Sequence, residues 1–194
     1  MAGKKAFDVE EALRRAMVVF WMQGYEASSI PDLVDAMQIG RQSLYDTFGT
    51  KHDLYLAALK LYCEVYAAGL LKSVEAPGAS LGDVQKYLQA NVASYFAEPG
   101  ARSCFMVNGT LELAQRNDEV ARYVAHFQQR IERALTNAVK NAIASGEIRS
   151  DEPVRTIVRR LMTVTLGLPV YIKGGASQRA ANEAISTTIE SLQS

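Results

Sequence analysis

Ser28-Ser29-Ile30-Pro31-Asp32-Leu33-Val34-Asp35-Ala36-Met37-Gln38-Ile39-Gly40, continued by Arg41-Gln42-Ser43-Leu44-Tyr45-Asp46-Thr47-Phe48-Gly49-Thr50-Lys51, is the stretch whose reading decides the fold. Ser29 suits an N-cap, because its hydroxyl can accept from a first-turn amide that has no partner inside the helix. Pro31 is tolerated in that turn, and Asp32, three residues after Ser29, completes a capping-box pattern. Leu33, Val34, Ala36 and Met37 supply one short apolar face. Gln38-Ile39-Gly40 interrupts the helix, with Ile39 free to plug the gap to the next. From Arg41 the helical pattern resumes, Leu44 and Phe48 lying one turn apart on the buried side. Arg41, Gln42, Ser43, Tyr45 and Thr47 are left largely on the other faces. Two short helices across a tight turn, the second polar at its start, describe a helix-turn-helix.

Outward from this motif, the chain reads as helical throughout. Proline is sparse, glycines fall between segments, and no strand-type alternation persists. Upstream, Asp8 with Glu11 opens a helix carrying Leu13, Ala16, Met17, Phe20 and Trp21 as far as Gln23-Gly24, with Trp21 read as core. Downstream, Thr50 with Asp53 caps a long helix to about Val74, which would connect two domains. Ala76-Pro77-Gly78-Ala79 is a loop, and a helix starting at Ser80 or Leu81 runs to Phe96, ended by Glu98-Pro99-Gly100. Residues 101–115 read as a mostly buried helix, and residues 118–144 as a long amphipathic one that Ser145-Gly146 stops. A helix from Pro153 or Val154 reaches Tyr171, Gly174-Gly175 turns the chain, and residues 178–192 form the last helix. The expectation is an all-α chain of about nine helices. A three-helix helix-turn-helix domain would occupy residues 1–51, and a C-terminal bundle residues 52–194.

The chain of 194 residues suits one or two domains and suffices for a sizeable core. With 48% apolar and 22% charged residues it has the composition of an ordinary soluble globular protein. Residues 1–7 form a short basic arm without the apolar centre of a secretory signal, and no run of ~18 apolar residues follows. A cytoplasmic protein with no membrane partner is expected. Cys63 and Cys104 lie far apart without metal-ligand spacing, as befits free thiols in a reducing interior. There is no glycine-rich phosphate loop, no HExxH or CxxC and no Gly-x-Ser-x-Gly elbow. Hence no catalytic residue, metal or cofactor is expected. A helical enzyme or small-molecule carrier that does not bind DNA remains the reading from another class.

A helix-turn-helix recognises DNA through the first turn of its second helix, while neighbouring groups grip phosphates and fix the register. Arg41 can pair bidentately with guanine and Gln42 with adenine, and Ser43 can reach a base edge or a phosphate. Outside such a constellation these residues would read as a solvated polar face. Residues 1–51 hold six basic side chains against seven acidic ones, a net charge of −1. That is not the basic footprint of a general nucleic-acid binder, so recognition must lean on geometry and on pairing two copies.

Gly24-Tyr25, Ser28-Ser29-Ile30, Leu44-Tyr45, Phe48-Gly49 and Lys51 together resemble the N-terminal signature of TetR/AcrR-type transcriptional regulators, over roughly residues 7 to 60. The chain departs from that pattern at Gln38, where the family usually has glycine, and at Gly40, where a Ser or Thr cap is common. Gln38 is then asked to take a left-handed backbone. The resemblance implies that Ser29, Tyr45, Thr47 and Lys51 hold phosphates of a double-stranded operator. It also implies a homodimeric repressor released from its operator by a small molecule in the C-terminal domain.

The bundle itself is less explicit. Tyr62, Tyr66, Tyr95, Cys104, Phe105, Asn108 and Phe127 are candidates to line an apolar pocket for a small apolar or aromatic effector; the alternative for each is core packing. Cys104, two residues after Arg102, is either a reactive thiol or a buried structural one. Val158, Leu161, Met162 and Thr165 on one helix, with Ile185, Thr188 and Ile189 on the next, form stripes suited to a dimer interface or to the internal core.

Overall fold

Capping chemistry sets where the N-terminal helices begin. In the computed structural model, which describes residues 7–97 and 103–193, helix α1 (Val9–Gln23) starts on Asp8, whose carboxylate accepts from the Glu10 and Glu11 amides at 2.9 and 3.2 Å. Helix α2 (Ile30–Met37) starts on the full Ser29–Asp32 capping box, and helix α4 (Lys51–Leu71) on the matching Thr50–Asp53 box. Between them, α3 (Arg41–Phe48) begins at Gly40 with no side-chain cap. The left-handed turn falls on Gln38, at φ 55°, the one non-glycine residue with positive φ among those described. Its amide still bonds back to α2, at Asp35 and Val34, as helix ends require.

Five helices complete the chain: α5 (Leu81–Ala97), α6 (Phe105–Glu112), α7 (Asp118–Ala144), α8 (Val154–Lys173) and α9 (Gln178–Gln193). Thus the described residues are all-α, in nine helices, as the sequence indicates. In the head, taken as α1–α3 with the start of α4, α1 packs on α2 and α4; in the body, the remaining helices, α7 packs on α8, and α9 on α5. Short α6 sits between the two parts and touches α1, α4, α7 and α8. Apolar packing does not stop at the boundary between them. Phe20 of α1 meets Tyr55 of α4 edge-on at 5.2 Å, and Tyr55 meets Phe105 of α6 at 5.3 Å, so head and body share a seam of buried rings.

Two expectations, on helix extents, need correction, and a third lies where the structure gives no description. The helix anticipated over residues 101–115 is only Phe105–Glu112, because Leu113 leaves helical geometry and Asn117 then caps α7. Residues 1–6, with most of the basic arm, and residues 98–102, with the Glu98-Pro99-Gly100 stop and Arg102, lie outside the described residues. The long connecting helix ends at Leu71 rather than near Val74; Val74 is buried by tertiary packing after a turn. That helix also carries a feature no sequence pattern announced, a π-helical segment from Tyr62 to Ala67. By length and composition alone α4 is the one described helix that could cross a membrane, but it is the spine of the core, with Leu54, Tyr55, Ala58, Leu59 and Cys63 fully buried.

Candidate nucleic-acid interface

Leu44, fully buried, pins α3 against the head and turns Arg41, Gln42 and Tyr45 to solvent, while Ser43 and Thr47 are half-buried. Gln42 is not free-swinging: its Nε2 donates to Asp46 Oδ1 at 2.8 Å, one turn on. The Arg41 guanidinium lies over the Tyr45 ring, 5.8 Å from its centroid. Both side chains that would read bases therefore have a partner on their own helix that limits their rotamers. Asp46, itself exposed, thereby acts as a positioning partner for Gln42, and its i, i+4 spacing is the signal for this in the sequence.

At the flank, the Lys51 ammonium sits 4.5 Å from the centroid of Tyr25. Tyr25 is half-buried, and its hydroxyl pKa is raised, first by desolvation and then by the negative charges of Glu26 and Asp53. A neutral ring under Lys51 holds the ammonium at the start of α4 without neutralising it. Ser29 is exposed, yet its hydroxyl donates to Asp32 Oδ2 at 2.6 Å and accepts from the Asp32 amide, so its first duty is the cap. These groups form a surface with Arg41 and Gln42 exposed at one helix start and a cation and hydroxyls around them. That is the arrangement for gripping a phosphate backbone and reaching into a groove.

In the body, Tyr62, Tyr95, Cys104 and Phe127 line one enclosed cavity together with Tyr87 and Asn91. Its volume is only about 20 Å³, room for about one water. The remaining pocket candidates fall elsewhere. Tyr66 is exposed and stacks on the outer side of Tyr62 at 6.2 Å; Phe105 is buried between Tyr55 and Tyr62. Asn108 spends its amide on Ser103, Lys173 and the Trp21 carbonyl. Cys104 accepts from Tyr62 Oη at 3.5 Å, but burial pushes its pKa up despite the donors around it. Cys63 is likewise raised by burial.

The stripes assigned to dimer contact are largely claimed by the chain's own core. Val158, Leu161, Ile185 and Ile189 are buried within the single chain, while Met162 and Thr188 are half-buried and Thr165 faces the cavity. An amphipathic helix first satisfies its own bundle, and only what is left over can meet a second copy. On α8 the leftover face includes Thr163, Gly167, Val170 and Tyr171, all exposed.

Comparison with known proteins agrees with this architecture. A family model described as bacterial regulatory proteins, tetR family, matches residues 12–58, and one described as tetracyclin repressor-like, C-terminal domain, matches residues 84–188. The HTH-type transcriptional regulator YezE of Bacillus subtilis is 32% identical, over 99% of this chain and 100% of its own. The HTH-type transcriptional repressor ComR of Escherichia coli is 29% identical, over 95% of this chain and 89% of its own. Among solved structures, a cysteine mutant of the TetR family regulator CifR, complexed with 26-bp double-strand operator DNA, superposes with a TM-score of 0.84. It is 26% identical and covers 97% of this chain and 98% of its own.

Proposed function

This chain belongs to the tetR family of bacterial transcriptional regulators, and we propose that it is a homodimeric, cytoplasmic repressor that reads a double-stranded operator with α3 and leaves it when a small molecule enters the body. The observation that carries the DNA reading is the exposed first turn of α3. There Arg41 and Gln42 are held ready by Tyr45 and Asp46, next to a Lys51 propped on Tyr25. Operator complexes of CifR, a relative of the same fold and length, support it.

One copy of α3 touches only a few base pairs, so two copies across a dyad supply length and specificity. Control follows from differential affinity: an effector shifts the protein only by preferring one arrangement. The cavity beside Cys104 is nearly closed, so an effector has to widen it, and the expanded body is the state it selects. The lining favours a small uncharged molecule, since tyrosine hydroxyls and the Asn91 amide offer hydrogen bonds and, among the described residues, the lining holds no ionised group.

The test is selection from a random duplex library by the purified protein, followed by mobility shift at graded salt. A palindromic consensus bound at submicromolar protein, with affinity falling steeply as salt rises, is the expected result. No enrichment even at low salt would leave the helical-carrier reading standing instead.

A further inference from the structure

The body reaches the head at a place where the head's geometry is set. Glu112, the last residue of α6, accepts from the Tyr25 backbone amide at 2.8 Å, across 87 residues of sequence. That amide lies in the corner between α1 and α2, where, among the described residues, no backbone carbonyl of the head accepts from it. Gly24, beside it, has φ 85°, a conformation that side chains rarely adopt, and a Cβ there would collide with the Glu112 carboxylate. The corner is therefore shaped around this one carboxylate.

Two further contacts keep α6 in register with it. Trp21 Nε1 donates to the Ser103 carbonyl at 2.7 Å, just before α6, and Gly109 allows the Tyr55 hydroxyl so close that a Cβ would lie 2.6 Å from it. Beyond the corner, the Tyr25 ring carries the Lys51 ammonium. At its other end α6 begins on Cys104, and Met106 and Val107 of its first turns line the enclosed cavity. The eight residues of α6 thus run from the cavity to the corner, roughly 12 Å at 1.5 Å per residue.

We propose that Glu112 is the positioning residue through which the body sets the head: its carboxylate fixes the Gly24–Tyr25 corner, and through the Tyr25 ring it places Lys51 for a phosphate. The inference rests on the DNA-binding reading above. It adds that the register of the head is held by a body residue that never touches DNA. Any movement of α6 that draws Glu112 off the Tyr25 amide releases the corner and Lys51 together.

The experiment pairs hydrogen exchange at the Tyr25 amide with affinity for a duplex selected from a random library by the wild-type protein. Glu112→Ala should raise the exchange rate of that amide and weaken the duplex roughly tenfold, the scale of losing a charge-assisted hydrogen bond. Emission of Trp21, the single tryptophan, should stay unchanged and report an intact fold. Glu112→Gln keeps an acceptor and should restore both readouts. Gly24→Ala crowds the carboxylate from the other side and should repeat both losses, so it serves if Glu112→Ala fails to fold. Unchanged Tyr25 exchange in Glu112→Ala, or raised exchange with wild-type affinity, overturns the proposal. If the wild type enriches no duplex, the DNA-binding reading falls and takes this role for Glu112 with it.

Discussion

Gln42 and Lys51 make different kinds of contact in the proposed complex, and their variants should fail differently. With one amide proton given to Asp46, Gln42 retains its carbonyl and a second proton, the pair needed for an adenine edge. Gln42→Ala should change the preferred base at one position of a library-selected site, at a cost of about 1–3 kcal/mol against the best wild-type sequence. Lys51→Ala should weaken every duplex alike and reduce the salt slope by about 1. Equal losses on all sequences for both variants would refute the division. A different residue-scale test concerns Tyr55, whose ring is fully buried and whose hydroxyl has no hydrogen-bond partner among the described residues. Burial drives its pKa far up, so it stays neutral and still lacks an acceptor. An orphaned buried hydroxyl costs about 1–3 kcal/mol, so Tyr55→Phe should stabilise the fold by around 1 kcal/mol, read as a higher urea midpoint at unchanged slope. A lower midpoint would mean that the hydroxyl has a partner after all.

Among the helices, the boxes on α2 and α4 make the head sensitive to acid. Asp32 is held below the usual carboxylate range by the Ser29 hydroxyl and amide, and Asp53 likewise by Thr50. A carboxylate whose folded pKa is depressed adds stability above its unfolded value, near 3.8, and loses it as pH falls through the folded value. Helix content followed by circular dichroism should therefore fall below about pH 4, and Asp53→Asn should flatten that dependence. Thr50→Ala should cost about 1 kcal/mol in thermal or urea melts at neutral pH; no change would mean that the cap is dispensable. Such caps were legible in the sequence because they are local: a hydroxyl, three residues, a carboxylate. The left-handed Gln38 was legible for the same reason. What stayed hidden depends on long-range packing. Tyr66 follows Tyr62 by four residues and so reads as the same face of an α-helix, but the π-helical step from Tyr62 to Ala67 turns it outward. No residue of Tyr62-Cys63-Glu64-Val65-Tyr66-Ala67 announces that step. Likewise Asn91 joins the cavity only because α5 packs beside α4, α7 and α8, and nothing local marks it.

Pairing of whole molecules follows from which apolar surface the single chain leaves uncovered. Leu161 is fully buried against the chain's own bundle, so Leu161→Glu should damage folding itself, burying a charge with no partner. Val170 and Tyr171 on the same helix are about half exposed, and nothing lies within 4 Å of a Cβ built on Gly167, so a second helix can approach closely there. Apolar side chains left at this exposure beside a flat glycine are the surface a partner copy would cover. We expect the wild type to sediment as a dimer at micromolar concentration and Val170→Glu to sediment as a folded monomer with an unchanged far-ultraviolet spectrum. That monomer should bind a full palindromic site far more weakly than the wild type while its affinity for a half-site is retained. The difference arises because the dyad fixes the separation of the two α3 helices, and one helical turn of DNA, about 34–36 Å, rewards both heads only at that separation. Sedimentation of the wild type as a monomer, or of Val170→Glu as an unimpaired dimer, would move the interface off this face of α8.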